Sequence, residues 1–405
     1  MGWKVKSIEM QRLELVESYN EEHWSVTELC EFYGVSRPTA YKWLERFELA
    51  GREGLKDQGR APHRHPQALS ELVQQYLLGV KMQHPYWGAR KIVGYLEAHK
   101  PEQEWPALST VNEFLKRRGL TVARRKRPQG AAASAPLAHA DAANRVWSID
   151  FKGWFRTGDR RICYPLTLTD NYSRMLLRCQ ALETETTAQV QPVLAAAFRE
   201  YGLPERMRSD NGSPFGSTGQ TGLTALSVWW IQLGIVPERI ERGCPQQNGR
   251  HERMHLTLKC ETTIPPQANL RKQQQRFAVF RQEYNEERPH EALGLTPPVA
   301  HYQPSPRPYP SRVPGPEYEA AWRKQRIPAG GKVQIKHGCD VFVSHALEGQ
   351  WIGLEPIDDR FSRAWFYRHE LGIIDRVEMK FYNSERWRER QEREQRRNAN
   401  AAPQP

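Results

Sequence analysis

Three acidic residues pose the first chemical question. Asp150 stands inside the apolar run Val146–Phe151. A carboxylate is almost never fully buried unless it is paired or holds a metal ion. Asp210 lies where a strand-like run ends, directly before Asn211-Gly212. Asn-Gly is a strong turn signal, so a turn-forming role is the plainer account of this residue taken alone. Glu252 falls with His255 and Lys259 at i, i+3 and i+7 of a segment with helical periodicity through Met254 and Leu258, which puts the three on one face. A solvated charged face is the plainer account of that trio. Other metal-ligating patterns are poorer. His63 and His65 have no nearby Cys or carboxylate, and none of the six cysteines stands in a C-x-x-C pair. Free thiols in a reducing cytoplasm are therefore expected, not a disulfide scaffold or a Cys-rich zinc site.

The segments around these acids read as mixed α/β. Residues 146–151, 164–170 and 175–179 are strand-like, the last two joined by the turn Asn171-Tyr172-Ser173-Arg174. Residues 187–201 read as an amphipathic helix with Val190, Val193, Leu194, Ala197 and Phe198 inward. Residues 206–209 form a short strand that ends on Asp210. Pro245 can open the helix that carries Glu252.

Upstream, the pattern is helical with nucleic-acid features. Residues 8–20 hold Leu13, Val16 and Tyr19 at helical spacing, and Ser25 and Glu28 form a capping-box pair. Val26, Leu29, Cys30 and Tyr33 make one apolar face, which Gly34 ends. Ser36 then caps a helix with Ala40, Trp43, Leu44 and Phe47 inward and Arg37, Thr39, Tyr41, Lys42 and Arg46 outward. Pro38 is tolerated in its first turn. Two short helices joined by a Gly turn, the second with a basic outer face, describe a helix-turn-helix over 1–60, although a plain helical bundle shares the pattern. A second, less clear unit spans 66–123 and closes with Lys116-Arg117-Arg118. A linker over 124–143 follows. It opens on Arg124-Arg125-Lys126-Arg127, suited to phosphate contact, and continues rich in Ala, Pro and Ser.

The C-terminal part is simpler. Residues 301–325 form a Pro-rich, stiff linker. Residues 326–382 hold short strands at 332–335, 340–343, 350–354 and 364–367, expected to close a small antiparallel β-barrel. Residues 383–405 form a charged tail, helical where Glu and Arg alternate. The 405 residues carry 59 Lys and Arg against 47 Asp and Glu, a net charge of +12 that favours a polyanionic partner. No apolar run approaches a membrane span. Residues 1–10 lack the apolar run of a secretory signal.

Several ordered strings then become specific together. VWSIDFKGWF, RSDNGSPF and PQQNGRHERMHLTLK resemble the retroviral-integrase-like core of bacterial insertion-sequence transposases. The string YNEERPHEALGLTPP is similar to the segment that closes that core. The likeness covers residues 144–300, and the helix-turn-helix units fit the same architecture. It implies an RNase H-like fold, a mixed five-stranded sheet flanked by helices. The family's Asp-Asp-Glu triad would fall on Asp150 mid-sheet, Asp210 at a strand end and Glu252 on a following helix. The strand and helix placements made from the residues alone agree. There are two departures. Asp210 and Glu252 lie 42 positions apart, longer than in retroviral integrases, and the stretch Gly216 to Gly222 could hold the excess. The zinc-binding N-terminal module of those enzymes is also replaced by helix-turn-helix units.

The resemblance implies two Mg2+ ions, with Mn2+ as a substitute. About 3.5–4 Å apart, such ions clamp the attacking and leaving oxygens of a phosphodiester. Mg2+ takes oxygen ligands, and three converging carboxylates would otherwise repel one another. Asp150 is expected to bridge both ions, and Asp210 and Glu252 each to complete one. Hydrolysis at an element end would free a 3′-OH, which then attacks target DNA in line without a nucleotide cofactor. His255 and Lys259 are expected at the DNA backbone, with Asn211, Gln247, Asn248 and Arg250 positioning substrate. Double-stranded DNA is the implied partner, both terminal inverted repeats and target, bound by a homo-oligomer in the bacterial cytoplasm at the nucleoid. A DNA-binding transcription regulator or a catalytically silent relative would bind without cutting. An RNase H-like nuclease would cut without joining.

Overall fold

The computed structural model describes residues 6–21, 24–57, 69–121, 139–240, 249–336 and 338–401. The chain divides into two compact units, Met1–Ser70 and Glu71–Pro405.

The first unit holds α1 (Ile8–Asn20), α2 (Val26–Tyr33) and α3 (Arg37–Ala50). The capping box expected at Ser25 forms: its hydroxyl accepts from the Glu28 N–H, and its own N–H donates to the Glu28 carboxylate at 2.8 Å. Gly34 ends α2 in the left-handed region, φ +63°. Val16, Leu29, Ala40, Trp43 and Leu55 are buried. Arg12 ties the unit together by lying 3.8 Å over the Trp43 ring while donating to the Leu55 carbonyl.

The second unit opens with α4 (Glu71–Gln83), α5 (Ala89–His99) and α6 (Leu108–Arg117). They share an apolar interior of Val73, Leu77, Ile92, Leu96, Val111 and Leu115. The central sheet follows. Its strands are β1 (Val146–Phe151), β2 (Phe155–Arg156), β3 (Ile162–Asp170) and β4 (Leu176–Leu182). Helix α7 (Thr187–Tyr201) leads to β5 (Arg206–Ser209), and α8 (Ala225–Gln232) leads to β6 (Val236–Arg239). The five-strand order is β4-β3-β1-β5-β6, with β2 a short hairpin arm on β3. Pairing is antiparallel at β4/β3 and β3/β1 and parallel at β1/β5 and β5/β6. The mixed five-stranded sheet is thus present. Helix α9 (Gly249–Thr262) and α10 (Leu270–Gln282) complete it.

Strand alternation resolves the puzzle of an acid in an apolar run. Trp147, Ile149, Leu166, Leu168 and Met207 turn to one face and pack on α7 and α8 through Leu194, Phe198, Leu226 and Trp230. Ser148, Asp150, Thr167, Thr169 and Arg208 alternate with them and so lie on the other face. There, α9 and α10 bring Met254, Leu258, Phe277 and Phe280 against Cys163, Leu176 and Cys179.

The outer border of β4 is closed by side chains. The Asn285 amide accepts from the Leu176 N–H at 2.8 Å and donates to the Leu176 carbonyl at 3.0 Å. Gln274 does the same service for the Ala181 N–H at 2.7 Å and the Cys179 carbonyl at 3.1 Å, and Arg281 caps the Leu177 carbonyl. The Pro-rich stretch is a strap on this domain. Arg307 donates to the carbonyls of Pro204, Leu233 and Gly234, while Tyr302, Tyr309 and Val313 pack on the core.

The C-terminal region departs from expectation. Strands β7 (Arg323–Arg326), β8 (Lys332–Lys336), β9 (Cys339–Phe342), β10 (Trp351–Pro356), β11 (Phe361–Phe366), β12 (His369–Asp375) and β13 (Lys380–Tyr382) do not close a barrel. They form an open sheet, β13-β12-β11-β10-β7, and a separate hairpin, β8-β9. Strand β7, of four polar residues, takes the border place beside β10, so the ladder ends at β7 and β13 without joining them. Helix α11 (Ser384–Ala401) follows, as the charge pattern suggests.

Asp375, fully buried, fastens α11 to that sheet. It accepts from Arg360 at 2.8 Å, Arg390 at 3.1 Å and the N–H groups of Val377 and Glu378 at 2.9 Å. Burial alone would raise its pKa, but Arg360 and the two N–H groups outweigh burial and hold it at about 2. A carboxyl depressed on folding stabilises above its unfolded value, near 3.9, and that stability is lost as pH falls through the folded value. We therefore expect about 2 kcal/mol of stability to disappear between about pH 4 and pH 2. Asp375→Asn should remove that component of the pH dependence, read as the difference between wild-type and variant urea midpoints across that window.

Candidate active site

Asp150 lies on β1, and Asp210 directly follows β5, the parallel neighbour of β1. The register pairs Ser148 with Arg208; continued two residues past the end of β5, it would bring Asp210 toward Asp150. The side chain of Asp150 is 19% exposed, leaving it open from the edge of an otherwise covered face. Asp210 begins the turn after β5. Burial raises its pKa, and an N–H donated by Gly212 opposes the rise. Gly212 is needed for that approach, since a Cβ there would stand 3.1 Å from the carboxylate.

A second buried acid shows what Asp210 lacks. Asp170 accepts from the Asn144 N–H at 2.8 Å, the Ser173 N–H at 2.8 Å and the Ser173 hydroxyl at 2.6 Å. Both of its oxygens are served, and its role is to pin the entry to β1. Asp210 Oδ1 is buried with no hydrogen-bond partner. An anionic oxygen in that state is costly unless a cation completes it. Glu185, missed from the sequence, adds negative charge nearby: burial and then the Asp210 charge raise its pKa. A divalent cation fits this donor set.

Glu252 is exposed in the first turn of α9. The expected face of Glu252, His255 and Lys259 divides. Lys259 is exposed, but His255 is buried, because α9 meets the sheet along His251, Met254, His255, Leu258 and Thr262. His255 is therefore turned to the sheet, whereas the expectation set it at a DNA backbone. Its ring and that of His251 meet Thr167, with Nε2 to Oγ1 distances of 2.7 and 2.6 Å. Burial pushes the His251 pKa down to about 3. Burial, helped by the charges of His251 and Lys152, pushes that of His255 to about 2. With the imidazole neutral, the 3.9 Å approach of His255 Nδ1 to Asp150 Oδ2 is not an ion pair. Among the described residues, the His, Cys and acidic side chains near enough to share a metal ion are Asp150, His251 and His255, with ligand atoms within 4.8 Å of one another. Asp210 and Glu252 are outside that group. The H-x-x-x-H spacing of His251 and His255 on the helix that follows the sheet was the signal that could have found His251.

The expected DNA contacts are unevenly available. Arg37, Tyr41 and Lys42 are exposed on α3, while Thr39 and Arg46 are half-buried. Arg37 also donates to Thr27, and Lys42 and Arg46 both lie over Trp43. Arg117 and Arg118 are exposed, beside Glu113 and Gln74. Arg250 donates to the Asn171 carbonyl at 3.0 Å, and Asn211 to the Ile240 carbonyl at 3.0 Å. Arg124, Arg125, Lys126, Arg127, Gln247 and Asn248 lie outside the described residues, as do His63 and His65. Cys30, Cys163, Cys179, Cys260 and Cys339 are free thiols. Among the described residues, no helix is long and apolar enough to cross a membrane.

Comparison with known proteins adds family information. Integrase core domain families match residues 140–245 and 233–298. A helix-turn-helix domain family matches 11–63 and a homeodomain-like family 39–115. A 31.7 kDa protein of insertion element IS407 from Burkholderia multivorans is 31% identical over 189 residues, 44% of this chain and 63% of the relative. The chain thus spans a little under two thirds of that relative's length. A 39.2 kDa protein of insertion element IS476 from Xanthomonas euvesicatoria is 27% identical over 272 residues, 65% of this chain and 75% of the relative. Similar solved structures include a simian T-cell lymphotropic virus intasome in complex with PP2A regulatory subunit B56 gamma. It has a TM-score of 0.37 and 15% identity, over 73% of this chain and 97% of that one. The HTLV-2 integrase catalytic core domain in complex with magnesium gives a TM-score of 0.32 and 16% identity, over 40% and 98%.

Proposed function

We propose that this chain, an insertion-element protein with helix-turn-helix domains and an integrase core, is a DDE transposase that cuts the ends of its element and joins them to target DNA. The observation that carries the reading is Asp210 Oδ1, buried without a donor directly after β5, the parallel neighbour of the strand that holds Asp150. Asp150, Asp210 and Glu252 would hold the divalent cations, with Mg2+ as the natural ion and Mn2+ as a substitute. Bound there, the cations supply Lewis-acid polarisation and offset the charge that builds on a phosphodiester during in-line displacement.

The chain's own residues do the rest. On this reading Asp150 on β1 and Asp210 after the parallel strand β5 would share the cations with Glu252, which stands exposed in the first turn of α9. Lys259 and Arg250 take backbone phosphates of the bound end. The exposed basic face of α3 reads the terminal inverted repeat. In the first step water displaces the 3′-oxygen of the element end, leaving a 3′-OH. In the second that 3′-OH attacks a target phosphodiester, and the target's own 3′-oxygen leaves. The joining step breaks one phosphodiester for the one it makes, so no nucleotide cofactor is required. Joining two ends to one target needs two active sites, and we infer a homo-oligomer on DNA acting in the bacterial cytoplasm.

The full chain incubated with end-labelled element DNA, a target duplex and Mg2+ or Mn2+ should first yield the nicked end. Joined products longer than either substrate should follow. Cutting without joined products replaces this reading with a nuclease, and binding without either product replaces it with a DNA-binding regulator.

A further inference from the structure

Hydrogen-bond accounting behind Asp150 fixes the tautomers of two histidines. Thr167 Oγ1 has one proton and two lone pairs. It lies 3.1 Å from the Asp150 backbone carbonyl, 2.6 Å from His251 Nε2 and 2.7 Å from His255 Nε2. Thr169 Oγ1 lies 3.1 Å from His251 Nδ1. One assignment satisfies all four contacts. Thr167 donates to the carbonyl, which can only accept. Both Nε2–H groups donate to Thr167, and Thr169 donates to His251 Nδ1. A neutral imidazole carries one hydrogen, so with its Nε2–H given to Thr167, His255 Nδ1 keeps its lone pair, 3.9 Å from Asp150 Oδ2. A lone pair near a carboxylate is unfavourable unless a cation serves both.

We propose that His255 Nδ1 joins Asp150 Oδ2 as a mixed nitrogen–oxygen ligand pair for the divalent cation at Asp150, with Thr167 as the positioning residue that fixes the tautomer. The proposal rests on the reading that Asp150 holds such a cation. Bonds from a divalent ion to imidazole nitrogen and carboxylate oxygen are about 2.0–2.2 Å, so a single ion reaches both atoms. His251 has both nitrogens engaged by threonines and is not a ligand. The chemical consequence is selectivity. Mg2+ favours oxygen ligands, whereas imidazole suits transition ions. The site should therefore favour Mn2+ over Mg2+ more strongly than an all-carboxylate site does.

Pulsed electron paramagnetic resonance of the full chain loaded with Mn2+ tests this without reference to activity. Nitrogen modulation of the imidazole type is expected in the wild type and in His251→Gln, and its loss is expected in His255→Gln. Thr167→Val should weaken Mn2+ binding by about tenfold or more, the usual effect of removing a group that orients a metal ligand. Labelling the unmutated protein with 15N-histidine supplies a check that needs no variant, because the modulation should shift to the 15N frequency. Mn2+ bound in an Asp150-dependent way with no nitrogen modulation overturns the proposal and leaves the carboxylate reading standing. So does modulation that survives His255→Gln and vanishes in His251→Gln. Mn2+ binding unchanged by Asp150→Asn sinks both.

Discussion

Asp210→Asn and Asp150→Asn are each expected to lower strand transfer at least about 10³-fold while binding of element-end DNA stays unchanged. Lewis-acid stabilisation by a bound metal is worth several kcal/mol, and about 4 kcal/mol corresponds to that factor. Asparagine keeps the volume and one oxygen but removes the charge that, on the proposed reading, would retain the cation. Asp210 adds a second, opposite readout. Its carboxylate has one buried oxygen with no donor, and burial raises its pKa. In chelator, where no cation offsets that charge, Asp210→Asn should melt no lower than wild type. A functional acid held at a cost to stability has this signature, and a structural one has the reverse. Asp170, with three donors, should show the reverse: Asp170→Asn melts lower. If Asp210→Asn melts well below wild type and still joins DNA, Asp210 is a turn residue after all.

Asn285→Leu is expected to destabilise the second unit by roughly 2–6 kcal/mol. Leucine nearly matches asparagine in size, so packing changes little. What changes is that the Leu176 N–H and carbonyl both lose their partner in a buried place. Each orphaned group costs about 1–3 kcal/mol. Asn285→Asp is the informative companion. It keeps an acceptor for the N–H but sets an anion against the carbonyl, so it should be no better than leucine. Chemical denaturation of the purified full chain measures both. A loss below 1 kcal/mol for leucine would mean that water replaces the amide and that the border is open.

Much of this was legible in the sequence, for reasons that differ by element. Strands β1, β3 and β4 announced themselves because each is rich in apolar residues, and β5, with Met207 alone, was placed by the Asp210-Asn211-Gly212 turn that ends it. The Ser25–Glu28 cap was readable because both partners lie within one helical turn. Strands β6 and β7 were not legible. Val236–Arg239 and Arg323–Arg326 hold too few apolar residues for a period, and pairing with β5 and β10 makes them strands. The barrel failed for a related reason: closure depends on whether β7 meets β13, a long-range event that no local pattern encodes. At the site, the spacing of Glu252, His255 and Lys259 suggested one common face, which the structure divides. It did not say which side the sheet would cover. Met254 and Leu258 decided that, and they drew His255 inward with them.

The two amides at the rim of β4 have a consequence for how copies of this polypeptide can gather. A bare outer strand is an invitation to its own kind, and newly made chains can accrete through it without any guide. Here that invitation is withdrawn by the molecule's own helix, so sister chains cannot zip together along this rim. Association must use other surfaces.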